Sequence, residues 1–169
     1  MNYEFHTLFQ VRLATEEDIP AIMSITTEAF EKYRELAGVE TTAALHETYE
    51  DVKRDLETKI VLIAFTDGVP VGSVRLEMLD EHTAYLSRFG VKLTSQNNGI
   101  GKSIMNIVDK IMIDKGVTHL KLHTGAKITS LVRFYYGRGF YIDSTDKSRG
   151  YVRALLVKEY EKKENTNND

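Results

Sequence analysis

Apolar residues recur along this chain with two periods, and each change of period marks a new element. "FQVRLA" alternates, which predicts a first strand ending near Ala14; Thr15 and Asp18 then make a capping box. Ile19, Ile22, Met23, Ala29 and Phe30 follow at helical spacing. Leu45, Tyr49, Val52 and Leu56 carry a second helix, with "RELAGVETT" as the loop between. From Lys59 the pattern becomes extended: "KIVLIAF" and "VGSVRLEM" flank the turn "DGVP", and a turn at "LDEH" leads to "TAYLSRFGV". Three antiparallel strands in succession are predicted.

The segment "SQNNGIGKS", residues 95–103, comes next. Ile100, Ile104, Ile107, Val108 and Ile111 then form one face of an amphipathic helix that ends near Lys115 and Gly116. "HLKLH" reads as a strand, and a right-handed crossover makes it parallel to the strand before the glycines. "KITSLVRFYYGR" reads as a short helix with Ile128, Leu131, Val132 and Tyr135 on one side. "FYIDS" and "YVRALLVKEY" read as a closing hairpin turned at "TDKSRG".

A chain of 169 residues suits one domain, expected over residues 1–160, with a polar, disordered tail over 161–169. At 42% hydrophobic and 28% charged residues the composition is that of a soluble globular protein. No run approaches the roughly 20 apolar residues of a membrane span, and no basic-then-apolar leader opens the chain, so a cytoplasmic protein is expected. Without cysteine there is no thiolate nucleophile or thiolate metal site. A net charge of −3 gives no general argument for nucleic acid as a partner, which favours basic patches.

The start of a helix presents N–H groups without intrahelical partners and a partial positive charge, which suits an anion. Glycines at 99 and 101 let a phosphate approach the backbone, and Lys102 and Ser103 add a charge and a hydroxyl. The same glycines would also serve simply to turn the chain. The order of a P-loop is missing, since Gly99 stands three residues before Lys102, and Ile104 replaces the third glycine of a dinucleotide fingerprint. The stretch does match Gln/Arg-x-x-Gly-x-Gly/Ala, as Gln96, Asn97, Asn98, Gly99, Ile100 and Gly101. With the later "FYYGRGF" at 134–140 and the order of elements, the chain over about residues 9–160 resembles the GNAT superfamily of N-acetyltransferases.

That resemblance implies an α/β (α+β) fold: a mixed, mostly antiparallel central sheet flanked by helices, with one parallel strand pair at the cofactor cleft. It implies acetyl-CoA as cosubstrate and no metal. Gln96, Asn98, Gly99, Gly101, Lys102 and Ser103 would surround the pyrophosphate, largely through main-chain groups. Phe89 and Val91 would line the pantetheine arm, with Gly90 suited to a bulge; as plain residues they read equally as core. Tyr135 would be the general acid for the departing thiolate, with Tyr136 as its neighbour and alternative; its place on an apolar face also suits a core tyrosine. Many members carry Asn where this chain has Ile128, so that amide's role passes to His123 or Thr124 or is lost. The general base is sought among Glu77, Asp80, Glu81 and His82, a group that reads otherwise as a solvated turn, with Glu77 first.

The implied activity is transfer of acetyl from acetyl-CoA to a primary amine of a small molecule or peptide, by direct attack of the amine on the thioester. The alternative is a catalytically weak acyl-CoA-binding or sensory module on the same fold. The resemblance places acceptor choice in the first two helices, with Arg153 facing the cleft; a homodimer is a further expectation, and neither nucleic acid nor membrane is expected as a partner.

Overall fold

Asp18 sets the first boundary. Its carboxylate takes two hydrogen bonds from Arg12, at 2.6 and 2.9 Å, and one from the Thr15 amide at 2.8 Å. Strand β1 (Phe9–Leu13) therefore ends where the first helix begins. In the computed structural model, which describes residues 8–162, a 3-10 turn over Glu16–Asp18 carries the expected capping box and leads into α1 (Ile19–Ala37), with proline in its first turn. The helix runs through Arg34–Ala37, expected as loop, because Gly38 is the first residue able to leave it: Gly38 is left-handed (φ 70°) and its N–H closes on the Arg34 and Glu35 carbonyls.

Leu45 lies in a separate 3-10 turn (Ala43–His46), outside the second helix. Helix α2 (Tyr49–Thr58) starts only at its own capping box, formed by Thr48 and Asp51. Strands β2 (Ile60–Thr66) and β3 (Val69–Met78) meet at Asp67 and Gly68, both left-handed, as a tight hairpin requires. β1 runs antiparallel to β2, with Phe9 opposite Thr66 and Leu13 opposite Leu62.

The remaining elements are β4 (Thr83–Val91), α3 (Ile100–Asp114), β5 (His119–Gly125), α4 (Thr129–Gly137), β6 (Tyr141–Asp146) and β7 (Arg153–Glu159). The strands make one mixed sheet in the order β1-β2-β3-β4-β5-β7-β6, in which β4 and β5 are the parallel pair and the rest are antiparallel. The fold class expected from the sequence is the one observed.

The chain forms two compact units: one from residues up to Arg75 with Arg88–Ile104, the other from Leu76–Ser87 with the residues from Met105 onward. In the first, Ile19 and Ile22 of α1, Val52 of α2, and Val61 and Ile63 of β2 form a core cluster. Each such side chain contributes about 1.5–3 kcal/mol by leaving water. Gly72 and Gly90 mark close approaches in this unit. A Cβ on Gly72 would lie 2.7 Å from Ile104 Cδ1, and one on Gly90 would lie 2.9 Å from Ala29 Cβ on α1. Gly90 is thus required by packing. The left-handed residue that interrupts the alternation of β4 is Arg88 (φ 51°), two positions before the residue expected to carry the bulge.

In the second unit, Met105, Val108 and Met112 are the buried positions of α3, while Ile107 and Ile111 are half-buried. Ile100, Ile104 and Val108 of the predicted face are buried, and Met105 and Met112, unbranched and adaptable, complete the inner face in place of Ile107 and Ile111. β5 pairs along its whole length with β7, from His119 opposite Glu159 to Gly125 opposite Arg153, and β6 joins the outer edge of β7 with a register shift between Ile142 and Ser144. Among the described residues no helix is long and apolar enough to cross a membrane. The expected tail lies, beyond Lys162, outside the described residues.

Candidate active site

The glycine turn is built from its first residue onward. The Lys92 N–H closes on the Val71 carbonyl at 2.8 Å, and a 3-10 turn follows over Leu93–Ser95. Gln96 reaches back, its Nε2 donating to the Val91 carbonyl at 3.2 Å, so this side chain fastens the turn to the end of β4. Asn97 (φ 69°) and Gly99 (φ 75°) are both left-handed, a conformation that asparagine and glycine accept at least cost. The first helical bond of α3 runs from the Ser103 N–H to the Gly99 carbonyl at 3.0 Å. The N–H groups of Ile100, Gly101 and Lys102 precede that bond, at the positive end of the helix dipole.

A Cβ placed on Gly99 would meet nothing within 4 Å, and Asn98, Gly99 and Lys102 are exposed, with Ser103 half-buried. The turn is thus open on its outer side and lined by donors. These residues fit a pyrophosphate: main-chain N–H groups, the Lys102 ammonium and the Ser103 hydroxyl would hold it. Phe89 is half-buried, and Val91 is core, packed so close to Gly72 that a Cβ there would lie 3.7 Å from Val91 Cγ2. Beside Lys92, Met23, Ser24, Thr27, Glu28 and Glu31 of α1 line a cleft of about 530 Å³. One Glu28 carboxylate oxygen is buried there without a hydrogen-bond partner.

Tyr135 belongs to the second unit. It is buried on α4, with the rings of Phe134 and Phe140 edge-on at 5.3 and 5.5 Å between centroids. Burial pushes its phenol above the ordinary tyrosine value, so the group stays protonated across the neutral range. Tyr136 is exposed. Ile128 is buried directly before α4, and its carbonyl receives the Leu131 and Val132 N–H groups; it anchors the helix start where an asparagine was expected from the resemblance.

The acidic turn separates into parts. Asp80 accepts from the His82 and Thr83 amides, both at 2.8 Å, and these bonds hold its carboxyl below the usual range; it shapes the turn. His82 lies against the Gly116 carbonyl (3.2 Å to Nδ1), and Glu81 is exposed. Glu77, half-buried on β3 next to fully buried Leu76, faces away from Leu76.

Two groupings were not read from the sequence. In the first unit, buried Arg75 donates to Glu47 and Asp55, and Arg88 donates to Glu47 at 3.2 Å. In the second, Tyr85 Oη lies 2.5 Å from His123 Nδ1. Both rest on contacts between residues twenty or more positions apart, beyond the reach of any local pattern.

Residues 19–140 match the model of the acetyltransferase (GNAT) family. The chain is 26% identical over 149 residues to the uncharacterised protein YyaT of Bacillus subtilis, spanning 88% of this chain and 93% of that one. It is 29% identical over 102 residues, 60% of each chain, to a spermidine N(1)-acetyltransferase of Thermoplasma acidophilum. A PaiA N-acetyltransferase from T. acidophilum, solved in complex with coenzyme A, superposes with a TM-score of 0.79 at 22% identity, over 90% of this chain and 99% of that one. With its family model matched over most of its length and its sheet of the same architecture, the chain belongs to the GNAT acetyltransferase family.

Proposed function

We propose that the protein is an N-acetyltransferase that moves the acetyl group of acetyl-CoA to a primary amine by direct attack of the amine on the thioester. The observation that carries this reading is the open, donor-lined turn from Gln96 to Ser103, which fits a pyrophosphate at the start of α3. A cationic acceptor of the polyamine class is favoured by Glu28 and Glu31 in the cleft along α1, and by the activity named for the Thermoplasma relative.

The residues divide the work by chemistry. The main-chain N–H groups of 100–102, with Lys102 and Ser103, bind and orient the cosubstrate through its phosphates, and Phe89 and Val91 flank its arm. Tyr135, kept protonated by burial, supplies a proton to the departing thiolate.

Thiol release from acetyl-CoA, measured with spermidine, lysine and a short peptide as acceptors, tests the reading. Amide product identified by mass spectrometry supports it. Tight binding of acetyl-CoA without thiol release from any amine would return the chain to an acyl-CoA-binding module.

A further inference from the structure

We infer that His123, held by Tyr85, is the base that takes the proton from the acceptor ammonium; this rests on the acetyl-transfer reading above. β4 and β5 pair over three residues, Thr83–Tyr85 opposite His119–Lys121. Tyr85 is the last of these on β4, and His123 stands two positions past the last on β5. Beyond that point β5 keeps its partner β7, with His123 opposite Leu155, while its other edge has left the β4 ladder. An edge released in this way offers main-chain groups to an extended ligand. The alternation of β5 buries Leu122 and Thr124 and turns His123 to the opposite face, with Lys121.

Tyr85 fixes the ring. Its hydroxyl is 2.5 Å from Nδ1 and the two rings are 5.6 Å apart at 46°. With Nδ1–H donating to Tyr85 Oη, Nε2 carries the lone pair, and the same bond supports the imidazolium after Nε2 has taken a proton. The charged surroundings keep the ring neutral beforehand. Burial comes first, then Arg153 of β7; Asp146 of β6 opposes them, and Arg149 in the turn between these strands adds to Arg153. Together they hold the imidazole below its ordinary value, so the ring is neutral at neutral pH, and in the tautomer that turns Nδ1–H toward Tyr85 its basic nitrogen is Nε2.

The proton count closes. The ammonium gives one proton to Nε2, and the free amine attacks the thioester carbon. As the new C–N bond forms and the C–S bond breaks, the thiolate takes a proton from Tyr135, and the second proton lost by the amine nitrogen restores the phenol. His123 then returns its proton to solvent, the single proton released per turnover.

The test is the pH dependence of kcat/KM for spermidine, or for a short peptide if spermidine is not turned over, in His123→Gln, Tyr85→Phe and Glu77→Gln. Melting temperature and acetyl-CoA affinity are measured alongside. His123→Gln is expected to lower kcat/KM about 10²- to 10⁴-fold and abolish the acidic limb, with affinity and melting retained. Tyr85→Phe is expected to move that limb to lower pH and cost about tenfold, the size of one lost hydrogen bond. Glu77→Gln should leave the limb in place. A limb that survives in His123→Gln, or vanishes only in Glu77→Gln, overturns the assignment while leaving acetyl transfer intact. No thiol release from the unaltered protein overturns both.

Discussion

Arg75 and Glu47 meet as a two-pronged ion pair, Nη1 to Oε2 at 2.5 Å and Nη2 to Oε1 at 2.9 Å, with the arginine side chain wholly inside the first unit. Asp55 of α2 accepts from the same Nη1 at 2.8 Å, and Arg88 approaches Glu47 from β4. The segment that leads into α2 is thereby fastened to β3 and to the left-handed residue of β4.

Removing Glu47 leaves the buried Arg75 guanidinium paired with Asp55 and takes the acceptor from Nη2. Glu47→Ala is expected to cost about 1.5–3 kcal/mol in urea unfolding, the size of a lost hydrogen bond to a charged group. Arg75→Met, which removes the charge that needs compensation and leaves Glu47 to Arg88, is expected to cost less. An effect of Glu47→Ala within about 1 kcal/mol of zero, the range of a surface pair, would mean that the cluster does not stabilise the fold.

Asp18 gives a pH dependence with a definite sign. The Arg12 guanidinium, with the Thr15 amide, holds its carboxyl below the usual range. A carboxyl whose folded value is depressed contributes stability above its unfolded value, about 3.9, and loses it as pH falls through the lower folded value. Asp18→Asn should therefore lower the melting temperature at pH 7 by about 2–4 °C, the size of one lost cap. The two melting curves should converge below about pH 4. A gap that persists unchanged in acid would show that packing, and not the charge, holds this corner.

Local chemistry made much of the fold legible. The capping boxes at Thr15 and Thr48, the Asp67–Gly68 hairpin and the glycine turn each require particular residues within a few positions. What the sequence hid were relations set by tertiary contact. Gly90 looked like a bulge, yet it is glycine because Ala29 of α1 leaves no room for a Cβ; the left-handed position went to Arg88, whose guanidinium is drawn to Glu47 and lies 5.9 Å from the Phe30 ring. Gln96 matched the motif, but its side chain serves the turn itself. His123 looked like a polar strand end until the fold brought Tyr85 to its Nδ1.

Gly101→Val tests the phosphate cradle. It sets a branched side chain among the free N–H groups of the first turn of α3, where helical backbone still tolerates valine at modest cost. Affinity for acetyl-CoA, measured by calorimetry, is expected to fall about 10²-fold, the equivalent of one or two charged hydrogen bonds. Undiminished affinity in a folded variant would place the cosubstrate elsewhere.

Tyr135→Phe separates the two roles that one side chain can fill. The ring packs edge-on against Phe134 and Phe140, and phenylalanine keeps both contacts while removing only the hydroxyl. Burial holds the phenol above its ordinary value, so it is present as the proton donor throughout the neutral range, and removing it should not move an acidic limb. The expected outcome is a loss of about 10²- to 10⁴-fold in turnover at saturating acetyl-CoA and acceptor, with coenzyme affinity and melting temperature close to those of the unaltered protein. The acceptor must be one whose acetylation is not limited by product release, since a slow release step would mask the chemical one. A core tyrosine behaves in the opposite way: stability falls by about 1 kcal/mol with the lost hydroxyl and turnover stays near normal. That pattern would leave protonation of the thiolate to solvent, and His123 as the ionisable group on which the rate depends.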